Sequence, residues 1–165
     1  MLIVMAFHPT AHDYDAYRMT LVHVLAVATI PLSFYGAMAL GDPLALTVFA
    51  VALISGVFAA GVSLAIPADP GFFRHDAVLV QAFARIIVSA TSAAIVLWSA
   101  RMRGALRAYG IAAGVIAVAL LFSGHLRLDA HGFGLVILSE AIWFIATGVR
   151  MLRVPCAPRS RSQAG

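Results

Sequence analysis

The sequence from residue 44 to residue 66 reads LALTVFAVALISGVFAAGVSLAI and contains no ionisable side chain. As a helix rising 1.5 Å per residue it would be roughly 35 Å long, enough to cross the ~30 Å hydrocarbon layer of a bilayer. Its apolar residues are continuous rather than alternating, which favours a membrane helix over a strand of a β-barrel. We therefore take lipid to be the solvent of this segment.

Four further apolar runs have similar length and composition. They cover residues 19–40, 77–100, 108–124 and 132–149. The segments between them are short and contain Pro, Gly, Asp, Arg or His, which are typical of turns and interfaces. The sequence therefore predicts an all-α, polytopic integral membrane protein built as a bundle of about five transmembrane helices.

The composition of the whole chain agrees with this prediction. Of its 165 residues, 62% are hydrophobic and only 11% are charged, whereas soluble domains are about 25% charged. The basic residues are 11 arginines and no lysine, and they lie between apolar runs, so no nucleic-acid partner is expected. Cys156 is the single cysteine, which excludes an internal disulfide and a Cys-based zinc site.

The arginines predict an orientation. With the N-terminus outside, the inner side would carry Arg101, Arg103, Arg107, Arg150, Arg153, Arg159 and Arg161, and the outer side Arg18, Arg74 and Arg127. The positive-inside rule then predicts an outer N-terminus and a cytoplasmic C-terminus, in what we expect to be a bacterial inner membrane. On this topology residues 1–18 form an extracytoplasmic segment, residues 19–151 the transmembrane domain, and residues 152–165 a disordered cytoplasmic tail.

All six histidines would lie at or near the outer face. They are His8, His12, His23, His75, His125 and His131. Imidazole tolerates an interface, and it also binds zinc, copper and iron. The pattern therefore predicts either plain interfacial residues or a transition-metal or haem site, and its metal ligands would be His125, His131, His75, His8 and His12.

Two charges lie inside predicted helices. Arg85 and Glu140 are each eight residues from the outer start of their run, at a depth of about 12 Å. Isolated charges at such depth are costly, so we expect the two to form an ion pair. A polar stripe on one face of the third helix comprises Gln81, Arg85, Ser89 and Ser92. The pair either fixes helix register or forms a polar pocket for protons or a small polar or quinone-like ligand, with His23 at its mouth.

Small residues recur at four-residue spacing in two of the runs. Gly110 and Gly114 lie in the fourth, and Ala52, Gly56 and Ala60 in the second. In lipid, small residues on one face let helices approach closely. This pattern predicts either packing within the chain or the seam of a homodimer.

The motifs of several common enzymes are absent. The sequence has no phosphate-binding glycine loop, no Gly-x-Ser-x-Gly elbow and no His-Glu-x-x-His, so we do not expect an enzyme. Our first hypothesis is a non-catalytic subunit of a membrane assembly, whose partners are the lipid bilayer and other membrane subunits or a second copy. The alternatives are a redox protein that binds metal or haem through the outer histidines, and a proton-coupled carrier of small molecules built on Arg85 and Glu140.

Overall fold

The architecture is a bundle of long helices. The computed structural model describes residues 16–65, 73–126 and 130–153, and within these ranges it contains five helices and no strand. They are α1 (Ala16–Met38), α2 (Pro43–Ala65), α3 (Phe73–Ala100), α4 (Ala105–Phe122) and α5 (Ala130–Arg153). Each has an apolar stretch of at least 18 residues, long enough to cross a membrane. The prediction of an all-α, five-helix integral membrane protein is confirmed.

Several helices extend beyond the apolar runs that predicted them. The helix α3 begins at Phe73 rather than at residue 77, and α5 continues to Arg153. Charged side chains at a helix end can point towards water while the backbone remains helical, so the apolar run marks the hydrocarbon and not the helix. The first 15 residues of the predicted segment 1–18, and the predicted tail beyond Arg153, lie outside the described residues.

The central helix is α3. It packs against α2, α4 and α5, whereas α1 packs mainly against α2. One buried apolar cluster contains Ala37, Ala45, Phe49, Ala94, Ile95, Trp98 and Trp143. A second, nearer the opposite end of the bundle, contains Val88, Ala117 and Val136. Ser92 on α3 and Glu140 on α5 therefore lie between two apolar regions.

Glycines bring α4 close to its neighbours. Gly110 and Gly114 are both buried. A Cβ atom at Gly110 would overlap Ser99 Oγ and Trp143 Nε1, and one at Gly114 would lie 2.7 Å from the carbonyl oxygen of Ser92. Real Cβ atoms do not approach other atoms so closely, so the small-residue face of α4 serves packing within the chain.

The start of α2 is fixed by its own residues. Asp42 Oδ1 accepts hydrogen bonds from the backbone N–H groups of Leu44, at 3.1 Å, and Ala45, at 3.3 Å. Pro43 occupies the first helical position, where no N–H is needed and its fixed φ suits a helix. Gly41 precedes the cap with a φ of 70°, a conformation that favours glycine. Three consecutive residues, Gly41, Asp42 and Pro43, therefore turn the chain and start the next helix.

The same aspartate joins two turns of the chain. Asp42 Oδ2 lies 3.1 Å from Arg101 Nε, so the turn between α1 and α2 is bound to the turn between α3 and α4. Nearby, Arg150 Nη1 donates to the backbone carbonyl of Arg103 at 3.1 Å. We call this end of the bundle the basic end, because it carries Arg101, Arg103, Arg107, Arg150 and Arg153.

We expect Asp42→Ala to lower the free energy of unfolding by roughly 1–2 kcal/mol, because it removes both the helix cap and the ion pair. Asp42→Asn should cost less. Its amide oxygen still caps α2, and an ion pair with an exposed arginine contributes at most about 1 kcal/mol. Denaturant unfolding of the purified protein in detergent, followed by circular dichroism, measures both. Equal losses in the two variants would show that the ion pair, rather than the cap, stabilises this turn.

Candidate functional site

The buried carboxyl group of Glu140 lies at the contact between α3 and α5. Only 4% of the residue is exposed. Ser92 Oγ, itself fully buried on α3, donates a hydrogen bond to Glu140 Oε1 at 2.9 Å. The glycine at position 114 of α4 lies against the backbone of Ser92. The acid therefore lies where α4 packs closely on α3, and within the described residues its hydrogen-bond partner is a neutral hydroxyl.

The expected ion pair between Arg85 and Glu140 is not formed. Glu140 bonds to Ser92 instead, which lies seven residues further along α3 than Arg85. Seven residues are nearly two turns, so the two positions share a face but differ in depth by about 10 Å. The helix α3 is 28 residues long and α5 is 24, and the two are not aligned at their first residues. Equal residue counts from two helix starts therefore did not give equal depths.

Arg85 lies on the outside of the bundle. Its side chain is exposed, as is that of Gln81, one turn away on α3. With Ile86, Ser89, Ala90 and Phe122 it lines an open hollow of about 370 Å³ between α3 and the end of α4. Within the described part of the chain, Arg85 has no hydrogen-bond or ion-pair partner. The polar stripe of α3 therefore changes in burial along its length, because Gln81 and Arg85 are exposed whereas Ser92 is buried.

Four buried polar atoms lack a hydrogen-bond partner among the described residues. They are Trp98 Nε1, Ser99 Oγ, Trp143 Nε1 and Thr147 Oγ1. Two of them, on Ser99 and Trp143, lie against the same glycine, Gly110. Thr147 follows Trp143 by one turn of α5. Buried donors without protein partners usually bind ordered water, so the interface of α3, α4 and α5 is a candidate for internal hydration.

The histidines do not form a described site. His8 and His12 lie outside the described residues. His75 lies in α3 and His131 in α5, but the side chains of these two residues are not described. His125 is exposed, and its Nδ1 atom is 2.9 Å from Ser123 Oγ. Among the described residues no three His, Cys, Asp or Glu side chains come together as metal ligands. The metal or haem site stays a prediction.

The position of His23 at the mouth of a pocket around Glu140 stays a prediction. His23 is partly buried on α1, which packs mainly against α2, whereas Glu140 lies between α3, α4 and α5. The hypothesis of a site joining Gln81 and Arg85 with Glu140 is replaced by two separate features, because the first two side chains are exposed and the third is buried against Ser92. One is the buried acid with the neighbouring polar atoms of Ser99, Trp143 and Thr147 that lack a hydrogen-bond partner, which we call the orphan donors. The other is the exposed arginine beside its hollow.

Sequence reasoning missed the orphan donors. Ser99 lies seven residues after Ser92, and Thr147 lies seven residues after Glu140. A search for polar residues at helical spacing from Ser92 and from Glu140 would have found both. Comparison with protein-family models, curated proteins and solved structures finds no match to this chain. The proposals below therefore rest on the chemistry of its own residues.

Proposed function

We propose that this chain is a non-catalytic subunit of a larger membrane assembly. The face of α3 that carries Gln81, Arg85 and Ser89 docks against a transmembrane helix of another protein, and that helix supplies a carboxylate to Arg85. The observation that supports this proposal is the exposed arginine without a described partner inside the apolar span Val78–Ala100.

The depth of Arg85 makes an unpaired position costly. It is seven residues from Val78, which places its Cα atom about 10 Å inside the span. An arginine facing lipid costs roughly 2.5–3.5 kcal/mol at the centre of a membrane helix, and less near its ends. A carboxylate at matching depth would replace the lost hydration with charge-assisted hydrogen bonds.

A second copy of this chain is a poor partner for that face. Within the described spans Glu140 is the only acidic residue, and it is buried against Ser92. A symmetric dimer through α3 would bring the two Arg85 side chains near each other and supply no carboxylate. We therefore assign the surface to a different protein with an Asp or Glu inside a transmembrane helix.

The hollow beside Arg85 suits a helix with an apolar side chain next to its acid. Its other walls include Ile86, Ala90 and Phe122, and 78% of Phe122 is exposed. Covering these groups would let van der Waals packing add to the ion pair, as membrane helix contacts require. The predicted docking surface therefore combines one charge with an adjacent apolar recess.

Photocrosslinking in intact cells tests this proposal. A photoreactive amino acid at Ile86 reports on the docking face, and one at Ile54, which is exposed on α2, serves as the matched control. We expect a discrete crosslinked product from position 86 and none from position 54. Arg85→Leu should abolish the product, whereas Arg85→Lys should partly retain it.

The crosslinked peptide decides the outcome. The proposal requires a transmembrane segment with an Asp or Glu. Arg85→Glu in this chain, or replacement of the partner's acid by arginine, should each abolish the product. Combining the two changes should restore it. A crosslink to a second copy of this chain, or to lipid alone, would contradict it. So would a product that Arg85→Leu leaves unchanged.

A further inference from the structure

A line of polar groups leads from Glu140 towards the basic end of the bundle. On α5 it comprises Glu140, Trp143 and Thr147, at spacings of three and four residues. On α3 it comprises Ser92 and Ser99, seven residues apart. These spacings place each set on a single helix face. The line therefore runs within the contact between α3 and α5, where Gly110 and Gly114 of α4 pack against it.

We propose that Glu140 is a proton-binding site that exchanges protons with the basic end through water molecules held by Ser99, Trp143 and Thr147. This site is separate from the docking face of α3, and the proposal does not depend on the docking partner. Its ligand is a proton, carried by a short chain of water.

The spacing of the orphan donors suits single bridging waters. Ser92 Oγ bonds to Glu140, and Ser99 and Trp143 meet at Gly110. Successive groups on α5 are three or four residues apart, about 4.5–6 Å along the helix axis. One water molecule bridges polar groups at such separations when it has two or more partners. The line ends one turn beyond Thr147, where Arg150 bonds to the Arg103 carbonyl.

In the opposite direction the interface is apolar. Val88 lies one turn before Ser92, Val136 lies one turn before Glu140, and Ala117 faces both from α4. Leu121 and Phe133 pack against these residues. None of these side chains can bind water, so among the described residues of this interface the polar groups lie on the side of Glu140 that faces the basic end.

The surroundings of Glu140 favour a carboxyl group that holds its proton. The helix α3 presents Ser92, and α4 presents glycine and alanine. On α4 the titratable residue nearest to Gly114 is Tyr109. It is exposed, and its hydroxyl bonds to the carbonyl and the hydroxyl of Ser139. A carboxylate with no cation beside it is poorly solvated in such an interior.

The hydrogen bonding assigns the atoms. Ser92 donates to Oε1, so the proton belongs on Oε2. Exchange passes that proton to a neighbouring water, which passes one of its own protons towards Thr147 and the basic end. A proton arriving by the reverse route restores the acid, and no oxidant or reductant takes part.

Infrared spectroscopy of the full chain in lipid vesicles tests this site. The carbonyl stretch of a protonated carboxylic acid shifts when its proton is replaced by deuterium, and Glu140→Gln should remove the band. We expect Thr147→Val to slow the shift in D₂O about tenfold, the effect of losing one hydrogen-bonding partner of the water chain. Thr147→Ser, which keeps the hydroxyl, should restore the normal rate.

Thr47→Val is the matched control, because Thr47 is exposed on α2 and its hydroxyl bonds to the carbonyl of Pro43. It should leave the exchange rate unchanged. A band that Glu140→Gln does not remove would show an ionised carboxylate and overturn the proposal. A band that never exchanges, or one that exchanges equally fast in Thr147→Val and Thr47→Val, would overturn it too.

Discussion

Gly110→Ala is expected to lower the free energy of unfolding by about 3 kcal/mol, the upper range for forcing a methyl group into a packed interior. The added Cβ would occupy the space of Ser99 Oγ and Trp143 Nε1. Both of these residues are fully buried, and the indole ring is rigid, so neither can yield without disturbing its own neighbours. The helix α4 would have to move away from α3 and α5. Denaturant unfolding in detergent measures the loss.

Gly148→Ala is the matched control for this substitution. Gly148 lies within α5, and a Cβ there would meet no atom within 4 Å. Alanine is the better helix former by up to about 1 kcal/mol, so this variant should be as stable as the parent or slightly more stable. A similar loss in both variants would show that the close approach of α4 is not what makes Gly110 necessary.

Trp143→Ala is expected to cost about 3–5 kcal/mol, the range for removing a buried aromatic side chain. Trp143 is fully buried and stacks on Trp98, with ring centroids 6.1 Å apart and an interplanar angle of 16°. It also meets Phe144 edge to face at 5.2 Å. No neighbour can fill the space that the indole leaves, because α4 is already held close by its glycines.

Trp143→Phe separates packing from polarity. It keeps a ring in the aromatic cluster and removes only the Nε1 atom that lacks a protein partner, so the loss should be at most about 1.5 kcal/mol. The same variant should slow proton exchange at Glu140, since it deletes one of the donors that hold water. Thermal unfolding gives the first result, and the infrared band gives the second. A Phe variant as unstable as the Ala variant would mean that the indole N–H makes an essential hydrogen bond.

The long apolar runs predicted the fold because the bilayer imposes a minimum length on any helix that crosses it. The 23 residues at positions 44–66 already meet this requirement, and the observed α2, Pro43–Ala65, differs by one residue at each end. Helix ends were harder to predict where charged residues continue a helix, as at Phe73. Apolar runs indicate which part of a helix lies in the hydrocarbon, and they do not indicate where hydrogen bonding of the backbone stops.

The candidate site was predicted in part. The polar stripe on α3 correctly included Ser92, which reaches Glu140. The choice of Arg85 as partner failed because the relative shift of two helices along their axes depends on how side chains such as Trp98 and Trp143 interlock. That shift is a tertiary property, and a helix face with several polar residues, such as that of α3, fits several shifts equally well. The ion pair of Asp42 with Arg101 was missed for the same reason, since 59 positions separate the two residues.

The order in which the helices pack has a consequence for synthesis at the membrane. Each helix contacts the one before it, and the contact of α3 with α5 is the main one that skips a neighbour. A growing chain can therefore pack its first four helices before α5 emerges, and at that stage α4 already lies against one side of Ser92 and Ser99. The emergence of α5 then covers these hydroxyls and brings Glu140 into place. A chain stalled before residue 130 would consequently leave these hydroxyls without the cover of α5, which distinguishes it chemically from the finished protein.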